Sequence, residues 1–243
     1  MNPSQHAARS LPQVLELFGP SSGGKSSLAA RLLAGEAGPG FVLATDRVLA
    51  GVGLGWLPGQ ALRTLAIDAI AALTVAFSWR ALRPYYARAA AQALRGDGPS
   101  SWRVRLNLLR NAWKAGAVGV LAGRLARPGK VLILDEGPLQ AANYLFVHVD
   151  PAPEPAALDA FLAAVPLPDA VLYVREAADE LVARTLARTH PRVPAGGREE
   201  TARFVAHALE VFDRAAAEPR VSERLLRRDA LFGRPCPRRE AHA

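Results

Sequence analysis

Apolar and polar positions along the 243-residue chain change period repeatedly, and each change marks an element. A run at 14–18 that is apolar except at Glu16 predicts a buried strand, and helical spacing over 28–33 predicts an amphipathic helix. After the turn GEAGPG, FVLAT at 41–45 predicts a second short strand ending at Asp46. The glycine-rich stretch 51–60 reads as a loop. Helical periodicity covers about 61–95 and 102–126, with the loop formers of GDGPSS between them. Pro84 should break or kink the first of these helices. The run KVLILDEG at 130–137 has the profile of a central parallel strand ending in two acids. A short helix over PLQAANYLF, a helix at 155–164, a strand at 168–174 and helices at 176–189 and 199–217 complete the pattern. THPRVPAGG separates the last two helices, and no clear strand follows 217. Strands alternating with helices imply an α/β fold with a parallel, doubly wound sheet and ligands at the carboxyl ends of its strands.

Between the first strand and first helix, Gly19, Pro20, Ser21, Ser22, Gly23, Gly24, Lys25 and Ser26 match G-x-x-x-x-G-K-[ST] without a gap. Glycines let the backbone curl so that its N–H groups converge on an anion, and the following helix adds its positive end. Gly19, Ser21, Ser22, Gly23, Gly24, Lys25, Ser26 and Ser27 are therefore nucleotide-binding candidates. Lys25 would reach the β- and γ-phosphates as a catalytic group, and the Ser26 hydroxyl would ligate Mg²⁺. The fold expected is the three-layer P-loop NTPase fold, with a central parallel sheet and a small helical lid.

Three acids sit at predicted strand ends. Asp135 occupies the place of a Walker B aspartate and would hold Mg²⁺. Glu136 either orients a hydrolytic water or grips the hydroxyl groups of an acceptor; the pair could also merely cap the next helix. Asp46 would accept the proton of an acceptor alcohol as a catalytic base, with a plain helix cap for 47–50 as the alternative.

Composition narrows the classes. The net charge of +8 comes almost wholly from arginine, since lysine occurs only at 25, 114 and 130, and no nucleic-acid-reading motif accompanies it. The reading is therefore against a nucleic-acid partner. One cysteine, Cys236, excludes an internal disulfide and fits a reducing compartment. The first twelve residues carry no signal-peptide pattern. The apolar stretch 65–79 contains Asp68 and is shorter than the ~20 residues of a membrane span, so it reads as a buried helix. A cytoplasmic protein without a membrane partner is expected, and a homodimer is left open.

With these residues placed, the chain resembles P-loop kinases of the nucleoside-monophosphate and small-molecule group. GPSSGGKSSLAARL with FVLATDRVL is similar to the start of chloramphenicol phosphotransferases, whose Asp after the second strand is the base. VLILDEGPLQAANYLF, PDAVLYVREAADELVARTLAR and FVAHALEVFDRA resemble thymidylate kinases. The resemblance implies that Arg184, Arg188 and Arg192 sit at a lid over about 188–198 and contact donor phosphates or the adenine, Arg188 with a catalytic role. It assigns residues 1–218 to a kinase-like domain and 219–243 to an Arg-rich tail whose end is expected to be poorly ordered. Thymidylate kinases carry an Arg where this chain has Glu136, and a carboxylate there repels a phosphorylated acceptor. The acceptor side, Asp46, Arg47 and Glu136, thus favours a neutral or cationic hydroxyl compound, although Arg47 could still hold a phosphate. The leading expectation is an ATP- and Mg²⁺-dependent kinase of a small hydroxylated molecule; the alternative is a P-loop ATPase or nucleotide switch.

Overall fold

Four short strands, β1 (Val14–Phe18), β2 (Phe41–Leu43), β3 (Val131–Leu134) and β4 (Ala170–Tyr173), form one sheet in the order β2-β3-β1-β4. Every pairing is parallel. This computed structural model describes residues 12–38, 40–95, 101–188, 192–193 and 197–232. Parallel strands need crossovers, and the helices that supply them cover both faces of the sheet. Leu15 and Leu17 of β1 point to one face, where α1 (Lys25–Leu33) lays Leu28 and Leu32 against them. Val14 and Phe18 point to the other, which carries most of the helices. The chain is thus α/β with an all-parallel four-stranded sheet, as the alternation of periods implied.

The heavier face is built from α2 (Ala44–Gly51), α3 (Gln60–Ala93), α4 (Trp102–Leu125), α5 (Ala141–Phe146), α6 (Pro155–Ala164) and α8 (Arg198–Ala217). Their large side chains, among them Tyr85, Tyr86, Phe146, Phe161 and Phe212, meet Phe18 in one core. α7 (Ala178–Arg188) packs Leu181 and Val182 on Val205 of α8.

Several expectations are corrected. The second strand ends at Leu43, because its partner β3 pairs only Phe41–Leu43 and the chain then buries Ala44, Val48 and Leu49 at helical spacing. Asp46 therefore lies in the first turn of α2, and the N-cap is Leu43. Pro84 does not break α3, which runs unbroken from Gln60 to Ala93. Pro84 and Arg80 are both exposed, so water can satisfy the carbonyl for which proline has no donor. The stretch 65–79 is not a buried helix. Only 22% of the most apolar 18-residue window of α3 is buried, and by length and composition this helix could cross a membrane.

Beyond residue 217 the chain continues onto the body. In α9 (Pro219–Ser222) Val221 is buried in the main core, and in α10 (Arg228–Phe232) Leu231 packs beside Leu28 and Leu32. Between them, Leu226 N–H donates to Val171 O (2.8 Å) and Val171 N–H to Arg224 O (3.0 Å), a single parallel bridge on the free edge of β4. One bridge leaves no periodic signature in sequence. Most of the proposed lid and residues 233–243 lie outside the described residues.

Candidate active site at the carboxyl ends of the strands

The loop of residues 19–26 joins the buried end of β1 to α1. Gly19 has φ +145°, and a Cβ there would lie 2.3 Å from Val174 O, so no side chain fits. Ser22 (φ 64°) and Gly24 (φ 91°) are also left-handed, reversing the chain into α1. Gly24 caps α1 without a side-chain acceptor, which leaves the first-turn N–H groups available to an anion. Neighbouring elements hold the loop from outside. Gly19 N–H donates to Gln140 Oε1 (3.0 Å), Asn143 Nδ2 to Ser21 Oγ (3.3 Å), Thr185 Oγ1 to Ser22 Oγ (3.3 Å) and Arg184 Nη1 to Ser22 O (3.4 Å). Lys25 Nζ donates to Gly19 O and Pro20 O, both at 2.8 Å. Burial lowers the Lys25 pKa to about 8, while the Glu136 charge acts to raise it.

A groove of about 380 Å³ opens beside this loop. Ser27, Arg31, Arg184, Arg188 and Arg228 line it against a single acid, Glu176. Arg184 and Arg188, expected at a lid over the donor, thus line a groove beside the 19–26 loop. Arg228 was missed, because nothing distinguishes it from the other arginines of the tail. Arg192 does not line this groove. Its Nη1 donates to Asn143 O (2.5 Å) and Val147 O (2.9 Å), and its guanidinium lies over the rings of Tyr144 and Phe204. Burial lowers its pKa to about 10.

The acids converge in a second cavity, of about 420 Å³, between α2, α3, α4 and the end of β3. Asp46, Asp135 and Glu136 line it together with Thr45, Gln60, Arg63, Thr64 and Lys114. Asp46 Oδ1 is ion-paired with Arg63. Burial raises the Asp135 pKa, and the charges of Glu136 and Asp46 add to the effect. The Tyr144 pKa is raised by burial first and then by the charge and hydrogen bond of Glu136. The aromatics Trp56, Trp79, Tyr85, Tyr86 and Trp102 do not line this cavity; Tyr85 and Tyr86 are core, and Trp56 and Trp102 are exposed.

Arg47 turns away from Asp135 and Glu136. Its Nε donates to Leu125 O (3.4 Å), and it lines a neighbouring cavity of about 610 Å³ with Arg127 and Lys130. Asp46 and Arg63 border both cavities. The larger cavity lies beside α2 and the start of β3, whereas Asp135 and Glu136 line only the smaller.

Beneath the loop lies a residue that periodicity disguised. Glu16, in the middle of apolar β1, is fully buried. Its Oε1 accepts from Gln140 N–H (2.9 Å), and Oε2 has no hydrogen-bond partner among the described residues. A Cβ at Gly137 would lie 2.4 Å from Glu16 Cδ, so glycine lets the turn after Glu136 close over the carboxyl. Because Gln140 also receives Gly19 N–H, Glu16 ties the acid-bearing turn to the loop. Burial raises its pKa from 4.5 to about 8. An acid raised on folding stabilises the fold fully below its unfolded pKa and loses that contribution as pH rises through the folded value. Stability of the wild type relative to Glu16→Gln should therefore fall between pH 4.5 and about 8, at most about 1.4 kcal/mol per pH unit. Chemical unfolding of both chains at pH 5, 6, 7 and 8 measures this; a constant difference would mean that Glu16 titrates normally in the fold.

The residues suit a phosphate chain better than a caged metal. Among the described residues no group of three or more His, Cys, Asp or Glu side chains is placed to hold a metal ion. Magnesium delivered with a triphosphate needs only one or two protein oxygens, because phosphates and water fill the rest of its shell. Ser26 and Asp135 are oxygen donors of that kind. No family model matches this chain, and no curated protein or solved structure matches it significantly.

Proposed function

We propose that the chain is an ATP- and Mg²⁺-dependent phosphotransferase of the three-layer P-loop type, moving the γ-phosphate to a hydroxyl of a small molecule. The observation that carries this reading is a juxtaposition. A loop with an ungapped G-x-x-x-x-G-K-S pattern leaves the central strand β1, and a cavity bearing three carboxylates opens at the ends of the adjoining strands. Crevices at strand carboxyl ends are where open parallel sheets take their ligands.

ATP with Mg²⁺ supplies an activated phosphoryl group whose charge must be balanced as it transfers. The backbone N–H groups of the 19–26 loop and of the first turn of α1 bind the phosphates, and Lys25 exchanges its bonds to Gly19 O and Pro20 O for phosphate oxygens. Ser26 and Asp135 hold the metal. Arg184 and Arg188, with Arg228 beside them, neutralise and orient the donor from the groove. On the acceptor side, Arg63 holds one oxygen of Asp46, and the other takes the proton of the attacking hydroxyl. Glu136, steadied by Tyr144, orients the acceptor's remaining hydroxyls. The carboxylates favour a neutral or cationic compound in this cavity, in a protein that works in the cytoplasm.

The test is transfer of label from γ-labelled ATP in Mg²⁺ buffer to a panel of sugars, alcohols, nucleosides and hydroxylated antibiotics. Acceptor-dependent transfer over a slow background of hydrolysis is the expected result. Brisk ATP hydrolysis that no acceptor stimulates would replace this reading with an ATPase or switch.

A further inference from the structure

The outer face of α3 is apolar to a degree that water does not explain. Between Gln60 and Arg80 every exposed residue is Ala, Leu, Phe or Trp. Leu62, Leu65, Leu73 and Phe77 are 51%, 66%, 63% and 85% exposed. With exposed Ala69 between Leu65 and Leu73, these positions recur at steps of three and four, so they form one stripe about 22 Å long. Scattered surface leucines are ordinary, whereas a contiguous stripe of this length marks a contact surface. The one acid in the stretch, Asp68, is turned inward to Arg110 and Lys114 of α4.

We propose that this stripe pairs with the same stripe of a second copy of the chain, two α3 helices crossing antiparallel about a two-fold axis at Ala69. Such an isologous contact requires a self-complementary pattern. About Ala69, Leu65 meets the partner's Leu73, Leu62 meets the partner's Ala76, and Ala61 meets the partner's Phe77. Large faces small at the ends, and the smallest side chain lies where the helices approach most closely. The exposed stripe offers roughly 700 Å² of apolar surface per protomer, close to the about 800 Å² that each partner of a standard interface contributes.

Other occupants fit less well. A membrane span would carry Arg63 and Asp68 into hydrocarbon with the helix, and both are engaged in ion pairs on the body. A helix lying on a lipid surface flanks its apolar face with Lys and Arg along its length, whereas the exposed arginines of α3, Arg80, Arg83 and Arg88, all lie beyond one end of the stripe. The ends outside the described residues, 1–11 and 233–243, contribute only Met1 and Leu11 as large apolar side chains. The inner side of the same helix presents Gln60, Arg63, Thr64 and Ile67 to the carboxylate cavity. Pairing through α3 therefore sets two such cavities on opposite sides of one helix pair.

Sedimentation velocity on the full-length chain at micromolar concentration should give twice the chain mass. Ala69→Arg, which opposes two buried charges at the axis, should raise the dimer Kd at least about a hundredfold while circular dichroism and thermal unfolding of the monomer stay cooperative. In a Cys236→Ser background, Ala69→Cys should form an intermolecular disulfide on mild oxidation and Phe77→Cys should not, because only residue 69 meets its own copy. A wild type monomeric at tens of micromolar overturns the proposal. So does a dimer indifferent to Ala69→Arg that also fails to cross-link through Ala69→Cys. Flotation of a monomer with vesicles of anionic phospholipid would assign the stripe to a lipid surface instead.

Discussion

Lys25→Ala is expected to lower phosphoryl transfer by about 10²–10³-fold, the usual loss when one fixed charge is removed from a transferring group. The lysine is only partly exposed, and its Nζ bonds to two loop carbonyls, Gly19 O and Pro20 O. It is thus positioned before any ligand arrives, and the Glu136 charge favours its protonated form. The substitution removes these two bonds but also relieves the desolvation that lowers the lysine pKa. Global stability should therefore change little against the loss in rate. Single-turnover transfer from ATP, measured beside thermal unfolding, separates the two effects. Full transfer by a folded Lys25→Ala chain would remove the loop from the chemistry.

Asp46→Asn should lower transfer by about 10²–10⁴-fold with ATP affinity retained, because a positioned general base contributes on that scale. Its placement makes the outcome diagnostic. Asp46 stands in the first turn of α2, so losing its charge forfeits about 0.3–1 kcal/mol of helix-dipole stabilisation. The exposed ion pair with Arg63 adds at most about 1 kcal/mol. Those effects lower the melting temperature slightly and leave the arginine-lined groove beside the 19–26 loop untouched, since Asp46 is not among its lining residues. A helix-forming role therefore predicts a small stability loss with normal kcat, and a base predicts the reverse. If ATP turnover without acceptor is fast, depends on Glu136 and ignores Asp46→Asn, hydrolysis is the activity and Asp46 only supports α2.

The parts of the site that could be read in one dimension are those made by neighbours in sequence. The loop between β1 and α1 needs glycine at 19, a left-handed reversal at 22 and 24, and a lysine and serine at the helix start, all within eight residues. Asp135 and Glu136 follow directly on the buried run of β3, so their place at a strand end was legible too. Asp46 shares a cavity with Asp135 and Glu136 but stands on a helix rather than at the end of a strand. FVLAT looks like five residues of strand, and only the three-residue pairing with β3 shows where strand gives way to helix. The arginines were the hardest case. So many occur that sequence offers no ranking, and packing alone directs Arg228 into the groove while Arg192 closes the carbonyl end of α5.

Period and composition determined the α/β class, the parallel sheet and the tight turn after β1, because each rests on local sterics acting over a few residues. Tertiary structure alone decided how Glu16 is used. Its partner is 124 residues away, and its carboxyl is sheltered by the absence of a side chain at Gly137. The pairing of Asp46 with Arg63, the turning of Arg47 into a separate cavity and the division of α3 into a packed face and an uncovered one were likewise decided there. A strand or helix period records which side of an element is apolar. Which neighbour covers that side depends on contacts between distant segments, and those exist only once the chain has folded.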